Sequence, residues 1–167
     1  MTQGIFSSIL IVLLLMAAIS DLRSRTIPNA IALIGLALFP LAILVGALPH
    51  WPGHLAVGAA AFMVCLGLFA AGAMGGGDAK LIPVMALWVG TDGIATFLYV
   101  MALAGGLVAL AMLVHRAIRR RRVPAETLSS GSVPYALAIA AGGIAALFEP
   151  VLNLFRSVLT GLAASGV

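Results

Sequence analysis

Long apolar runs alternate along this chain with short polar punctuation. The runs extend from Gly4 to Ile19, Ala30 to Leu48, Leu55 to Met74, Leu81 to Val89, Ile94 to Val114 and Val133 to Phe148. Between them lie DLRSRTIPN, PHWPGH, GGGDAK, GTDG and a basic stretch from His115 to Ser132. Leu, Ala, Ile, Val and Met fill the runs without the alternation over about ten residues that marks a membrane strand, so helices are expected throughout. The fourth run is short: Ala79 to Gly90 makes about 18 Å of helix and contains Pro83. One helix from Leu81 to Val114 would instead cover about 50 Å, too long for a hydrocarbon layer of about 30 Å. It would also carry Arg119 to Arg122 to the opposite side. Two crossings are therefore expected, joined by Gly90-Thr91-Asp92-Gly93, with the fourth helix starting within the membrane depth. Non-helical backbone at that depth must be buried in protein or border a wet cavity, which puts Gly75-Gly76-Gly77-Asp78 beside a water-accessible pocket.

Composition turns this pattern into a fold class. Of 167 residues, 63% are hydrophobic and 8% charged, with a mean hydropathy of +1.20, against about 45–50% apolar and about 25% charged in a soluble domain. The expected fold is all-α, a polytopic membrane protein of six transmembrane helices. Six spans at about 20 residues use about 120 and leave roughly 47 for loops and ends, too few for a soluble domain. Residues 1–150 are expected to form one transmembrane domain and residues 151–167 a C-terminal tail.

Charge sets the expected orientation, because cytoplasmic loops are enriched in Lys and Arg. Arg23 and Arg25 lie in the first loop, Lys80 in the third, and Arg116 and Arg119 to Arg122 in the fifth; the second and fourth loops carry neither Lys nor Arg. Odd loops are thus expected in the cytoplasm and the N-terminus outside. No basic residue precedes the first run, so it reads as a retained helix rather than a signal peptide. The pI near 10.2 would suggest nucleic acid in a soluble protein, but basic residues dispersed among apolar runs serve as topology determinants, and no nucleic-acid partner is expected. Membrane lipids are.

Five acidic residues remain as candidate chemistry. Asp92 reads as a solvated turn residue, Glu126 belongs to the polar fifth loop, and Glu149, before Pro150, falls at the end of the sixth helix. Asp21, at the inner end of the first helix, and Asp78, at the inner start of the fourth, would share the cytoplasmic face. Ionisable groups at the membrane boundary are costly and are candidates for function. Two carboxylates in one site can hold a proton between them, activating water with one and protonating a leaving amine with the other. The same residues also have plainer readings: Asp78 as the N-cap of its helix, Asp21 as a solvated partner of Arg23 or Arg25. Cys65 reads as a small buried side chain. His50 and His54 have the i, i+4 spacing of helical metal ligands, but Pro52 and Gly53 between them argue against a helix, and no metal site is expected. Arg119 to Arg122 read as a topology anchor.

The motifs around the two aspartates resemble a known family. Gly75-Gly76-Gly77-Asp78-Ala79-Lys80-Leu81 is similar to the G-x-G-D-x-K-L signature of type IV prepilin peptidases, polytopic aspartic proteases of the membrane. Asp21-Leu22-Arg23 leading to Ile27-Pro28-Asn29 resembles their other aspartate motif, and Val133-Pro134-Tyr135 resembles the segment that opens their last helix. The resemblance runs from about residue 10 to 148. It implies that Asp21 and Asp78 are the catalytic pair, with Gly75, Gly77, Lys80, Arg23, Pro28 and Asn29 supporting the site, in a bacterial inner-membrane enzyme acting at the cytoplasmic face without a cofactor. It implies prepilin substrates, cleaved between a short leader and an apolar helix. Presenilin-type proteases share GxGD but pair it with Tyr-Asp, and neither Tyr99 nor Tyr135 precedes an Asp. Longer family members carry a cytoplasmic domain, often with paired CxxC motifs, associated with N-methylation. Here nine residues separate Ser20 from Ala30 and Cys65 stands alone, so the chain is similar to the short form of Flp/Tad-type pili, expected to cleave without methyl transfer. The competing classes are a small transporter or channel subunit, using the aspartates as proton or ion sites, and a pilus-assembly subunit without chemistry.

Overall fold

The computed structural model describes residues 2–120 and 135–164; Arg121, Arg122, Glu126, Val133 and Pro134 therefore lie outside the described residues. Those described form five helices and no strand: α1 (Thr2–Ser24), α2 (Asn29–Leu44), α3 (Trp51–Ala70), α4 (Asp78–Arg120) and α5 (Tyr135–Ala164). By length and composition, α1, α3 and the stretch Asp78–His115 are long and apolar enough to cross a membrane. Many of their large apolar side chains face outward, as Val12, Met63 and Leu107 do. That inversion of the soluble pattern is what a lipid solvent requires.

Helix α4 is two arms, because Gly90 adopts φ 60° and ψ −162°. Contacts of the glycines show how the arms run. A Cβ on Gly143 of α5 would meet Met85 of the first arm, one on Gly93 would meet Ala146, and one on Gly142 would lie 2.5 Å from the Phe97 carbonyl oxygen. Further along, Gly105 faces Tyr135 and Ala138. Moving from Gly93 to Gly105 thus follows α5 backwards, so the second arm returns antiparallel to the first. The expected four-residue turn is a reversal at a single glycine, with Thr91, Asp92 and Gly93 already helical. Small residues at these crossings permit the close packing by which helices associate in lipid.

The first arm forms the centre of the bundle. Every residue from Leu81 to Gly90 is buried, consistent with a helix that is apolar all round. Helices α3 and α5 and the second arm pack around it, with α1 against α5. Trp88 anchors the end near Gly90: its ring stacks on Phe6 at 5.8 Å, meets Phe39 edge-on at 5.6 Å, and its Nε1–H donates to the Gly35 carbonyl at 2.8 Å. Cys65 is buried, as expected.

Two helix ends differ from the sequence expectation. Helix α3 begins at Trp51 with Pro52 in its first turn, where a missing N–H costs nothing because that group has no intrahelical partner. His54 is therefore helical. Helix α5 continues through Pro150 to Ala164 rather than ending at Glu149.

Candidate functional site

Asp21 and Asp78 come to the same end of the bundle by separate devices. Helix α1 closes on a hydroxyl-tied turn: Ser24 Oγ donates to the Ser20 carbonyl at 2.8 Å, Ser20 Oγ to the Thr26 carbonyl at 2.9 Å, and Arg25 N–H to the Asp21 carbonyl at 3.0 Å. Arg25 has φ 55°, the left-handed conformation that commonly ends a helix. The last turn of α1 thereby holds Asp21 half-buried, with exposed Arg23 beside it on the solvent side.

Across from α1, the Asp21 Oδ2 accepts a hydrogen bond from Ala136 N–H at 3.2 Å. Ala136 is in the first turn of α5, where backbone N–H groups lack intrahelical partners and the helix carries partial positive charge. This side chain thus closes a helix it does not belong to.

Asp78 opens α4, yet does not cap it. The first N–H groups are taken by glycine carbonyls: Ala79 N–H donates to Gly75 O at 3.0 Å, and Lys80 and Leu81 N–H donate to Gly77 O at 3.2 and 3.1 Å. The carboxyl is left for other work. It turns back over the glycine loop, where a Cβ on Gly75 would lie 3.4 Å from Asp78 Oδ2. Gly77 lets the loop press against Ile27, whose side chain would come within 3.0 to 3.2 Å of a Cβ there. That contact joins the connection after α1 to the connection before α4. It brings Asp78 within electrostatic reach of Asp21.

The remaining residues singled out from sequence gather nearby. Pro28 precedes α2 with φ −59° and ψ 131°, and its carbonyl accepts Ile31 N–H at 3.1 Å. Asn29 begins α2, and Lys80 Nζ donates to its Oδ1 at 2.9 Å, tying α2 to α4 two residues from Asp78. Arg23 is exposed on α1, as Pro28, Asn29 and Lys80 are on their own elements. Sequence reading missed Ser20, Ser24, Thr26 and Ala136. The hydroxyl cluster had a signal in its helix-ending Ser and Thr spacing; Ala136 acts through its backbone, so no residue type could have marked it.

The site is submerged relative to the second arm. Asp21 is level with Ala136, and Gly105 with Ala138, so the antiparallel apolar helix, level with the carboxylates near Leu107, runs on to Val114 for about 10 Å beyond them. His54 sits at the opposite end, where its Nδ1–H donates to the Leu87 carbonyl at 3.0 Å. Among the described residues there is no group of three or more His, Cys, Asp or Glu side chains that could hold a metal ion.

Comparison with known proteins returns one family and one curated relative of note. The model of the type IV leader peptidase family matches residues 8–110, a stretch that contains both aspartates. A prepilin leader peptidase/N-methyltransferase of Bacillus subtilis (strain 168) is 34% identical over 130 residues, covering 75% of this chain and 52% of the relative. The chain thus spans about half the length of that protein. No solved structure matches it.

Proposed function

Because the chain belongs to the type IV leader peptidase family, we propose that it is an aspartic endopeptidase of the bacterial inner membrane that removes the leader of Flp-like prepilins. Asp21 and Asp78 form its catalytic pair. The observation that carries this reading is the convergence of two half-buried carboxyls from α1 and α4 at one end of the bundle, with Asp78 released from capping by the glycine carbonyls. Like charges in one site share a proton. One aspartate, as carboxylate, takes a proton from water while the water oxygen bonds to the scissile carbonyl carbon. The other, protonated, gives its proton to the amide nitrogen as the C–N bond breaks, leaving a carboxyl group on the leader and an amino terminus on the helix. Gly75, Gly77, Lys80, Pro28 and Asn29 shape the site, and Arg23 marks its cytoplasmic rim. A transporter would need carboxylates with access to both sides of the bilayer; these face one end.

Mass spectrometry of a Flp-type prepilin expressed with and without this chain tests the activity. A shortened prepilin with a new N-terminus is expected only with the chain present, and without the added mass of a methyl group, in keeping with the four-residue connection between α1 and α2. An unchanged prepilin would reject the reading.

The same proposal includes six crossings, counting the two arms of α4 separately, with residues 1–150 as the peptidase domain, the N-terminus outside and the aspartates at the cytoplasmic face. In a Cys65→Ser background, a cysteine placed at Ser24 is expected to be labelled by an impermeant thiol reagent only after the membrane is opened, and one placed at His50 in intact cells. The reverse pattern would invert the orientation.

A further inference from the structure

An apolar groove of about 570 Å³ lies along the outside of the bundle between α2 and α3, with the first arm of α4 as its floor. Its rims are the half-exposed side chains Leu33 and Leu36 from α2 and Leu55 and Phe62 from α3. Behind them the walls drop to Ala32, Gly58 and Ala59, small residues of the kind that let a second helix approach closely in lipid. The floor is one stripe of α4, Lys80, Val84 and Leu87. That stripe begins two residues after Asp78, about half a turn round the helix, and extends about 13 Å from it.

Resting on the peptidase reading above, we propose that this groove seats the apolar transmembrane helix of the prepilin substrate, one helical face at a time, and so holds the cleavage point at Asp78. Three turns of helix with side chains occupy about 1,500 Å³, taking a diameter of about 11 Å and a length of about 16 Å. The groove therefore accommodates the facing side chains of such a helix while the rest stays in lipid. Its position supplies the occupant: the polar end of the groove is formed by Lys80, two residues along α4 from Asp78, and by Asn29, joined by a hydrogen bond of 2.9 Å. A substrate helix leaving that end has an apolar path along α4 and no ionisable side chain to bury beyond Lys80.

The test uses the full chain in membranes and one prepilin-type probe, a short basic leader followed by a 20-residue apolar helix, about one span. A photo-reactive p-benzoylphenylalanine in place of Leu36 or Phe62 is expected to cross-link to the probe's apolar helix, while the same group in place of Leu107, on the second arm, is not. Cross-links to lipid alone, or equal cross-linking from Leu107, would overturn the groove assignment. Cross-linking needs no turnover, so a groove that captures the probe while the native chain fails to cleave it would separate failure of the peptidase reading from failure of this one. As a second measurement, Ala59→Trp fills the groove and is expected to lower kcat/KM for this probe at least ten-fold relative to a probe truncated after the first helical turn. An unchanged ratio would count against the groove.

Discussion

Asp21→Asn and Asp78→Asn are each expected to reduce leader removal by about 10²–10⁴-fold, the usual contribution of a positioned acid or base, with little change in thermal stability. Asparagine keeps the size of the side chain and loses its charge and its ionisable proton. At Asp21 it also keeps an oxygen able to accept the Ala136 N–H, so the junction of α1 with α5 survives. At Asp78 the helix start is held by Gly75 and Gly77 carbonyls and does not depend on the side chain. Loss of activity with a preserved melting temperature would therefore report chemistry. Because both residues act on the same turnover, the double variant should be barely worse than either single one. If either single variant processed prepilin at the native rate, the pair would not be catalytic. Ala136→Pro probes the contact from the other side, since proline is tolerated in a first helical turn and removes the N–H, although its ring also adds atoms at a fully buried position. Losing a hydrogen bond to a charged group costs about 1.5–3 kcal/mol, a reduction of about ten-fold or more in cleavage.

Much of this arrangement was legible in the sequence, and for physical reasons. A chain in lipid announces its helices through unbroken apolar runs, and its few charges stand out because each is costly there. Asp21 and Asp78 were visible as candidates on those grounds, and the glycines before Asp78 as a place of close approach. What could not be read was which groups satisfy which. Whether Asp78 caps α4 depends on where the Gly77 carbonyl points, and the partner of Asp21 is a backbone N–H on a residue, Ala136, with no chemistry of its own. His54 illustrates the same limit. Proline in its neighbourhood reads as a helix breaker, but the first turn is where proline does no harm, and the histidine then lies in register with Leu87 and Gly90.

Gly90→Ala should be among the most destabilising single substitutions in the chain. The backbone there, at φ 60° and ψ −162°, lies in a region open essentially to glycine alone, and forcing another residue into it costs about 1–3 kcal/mol. A Cβ would also sit 2.6 Å from the His54 ring, adding about 1–3 kcal/mol of overpacking. The ring cannot simply swing away, because its Nδ1–H donates to the Leu87 carbonyl, whose helical donor would be Thr91 on the far side of the reversal. The combined loss of about 2–6 kcal/mol should appear as a markedly lower melting temperature in detergent. Adding His54→Ala should recover the steric part and leave the backbone part, so Gly90→Ala should cost less in the His54→Ala background than in the native chain. An equal cost in both backgrounds would show that the ring does not confine the reversal. The consequence reaches the opposite end of the bundle, since the first arm is one helix from Asp78 to Gly90, buried from Leu81 onward. A shift where the chain turns back is carried along that helix to the carboxylate, so the Gly90 variant should lose cleavage below its melting temperature as well as above it.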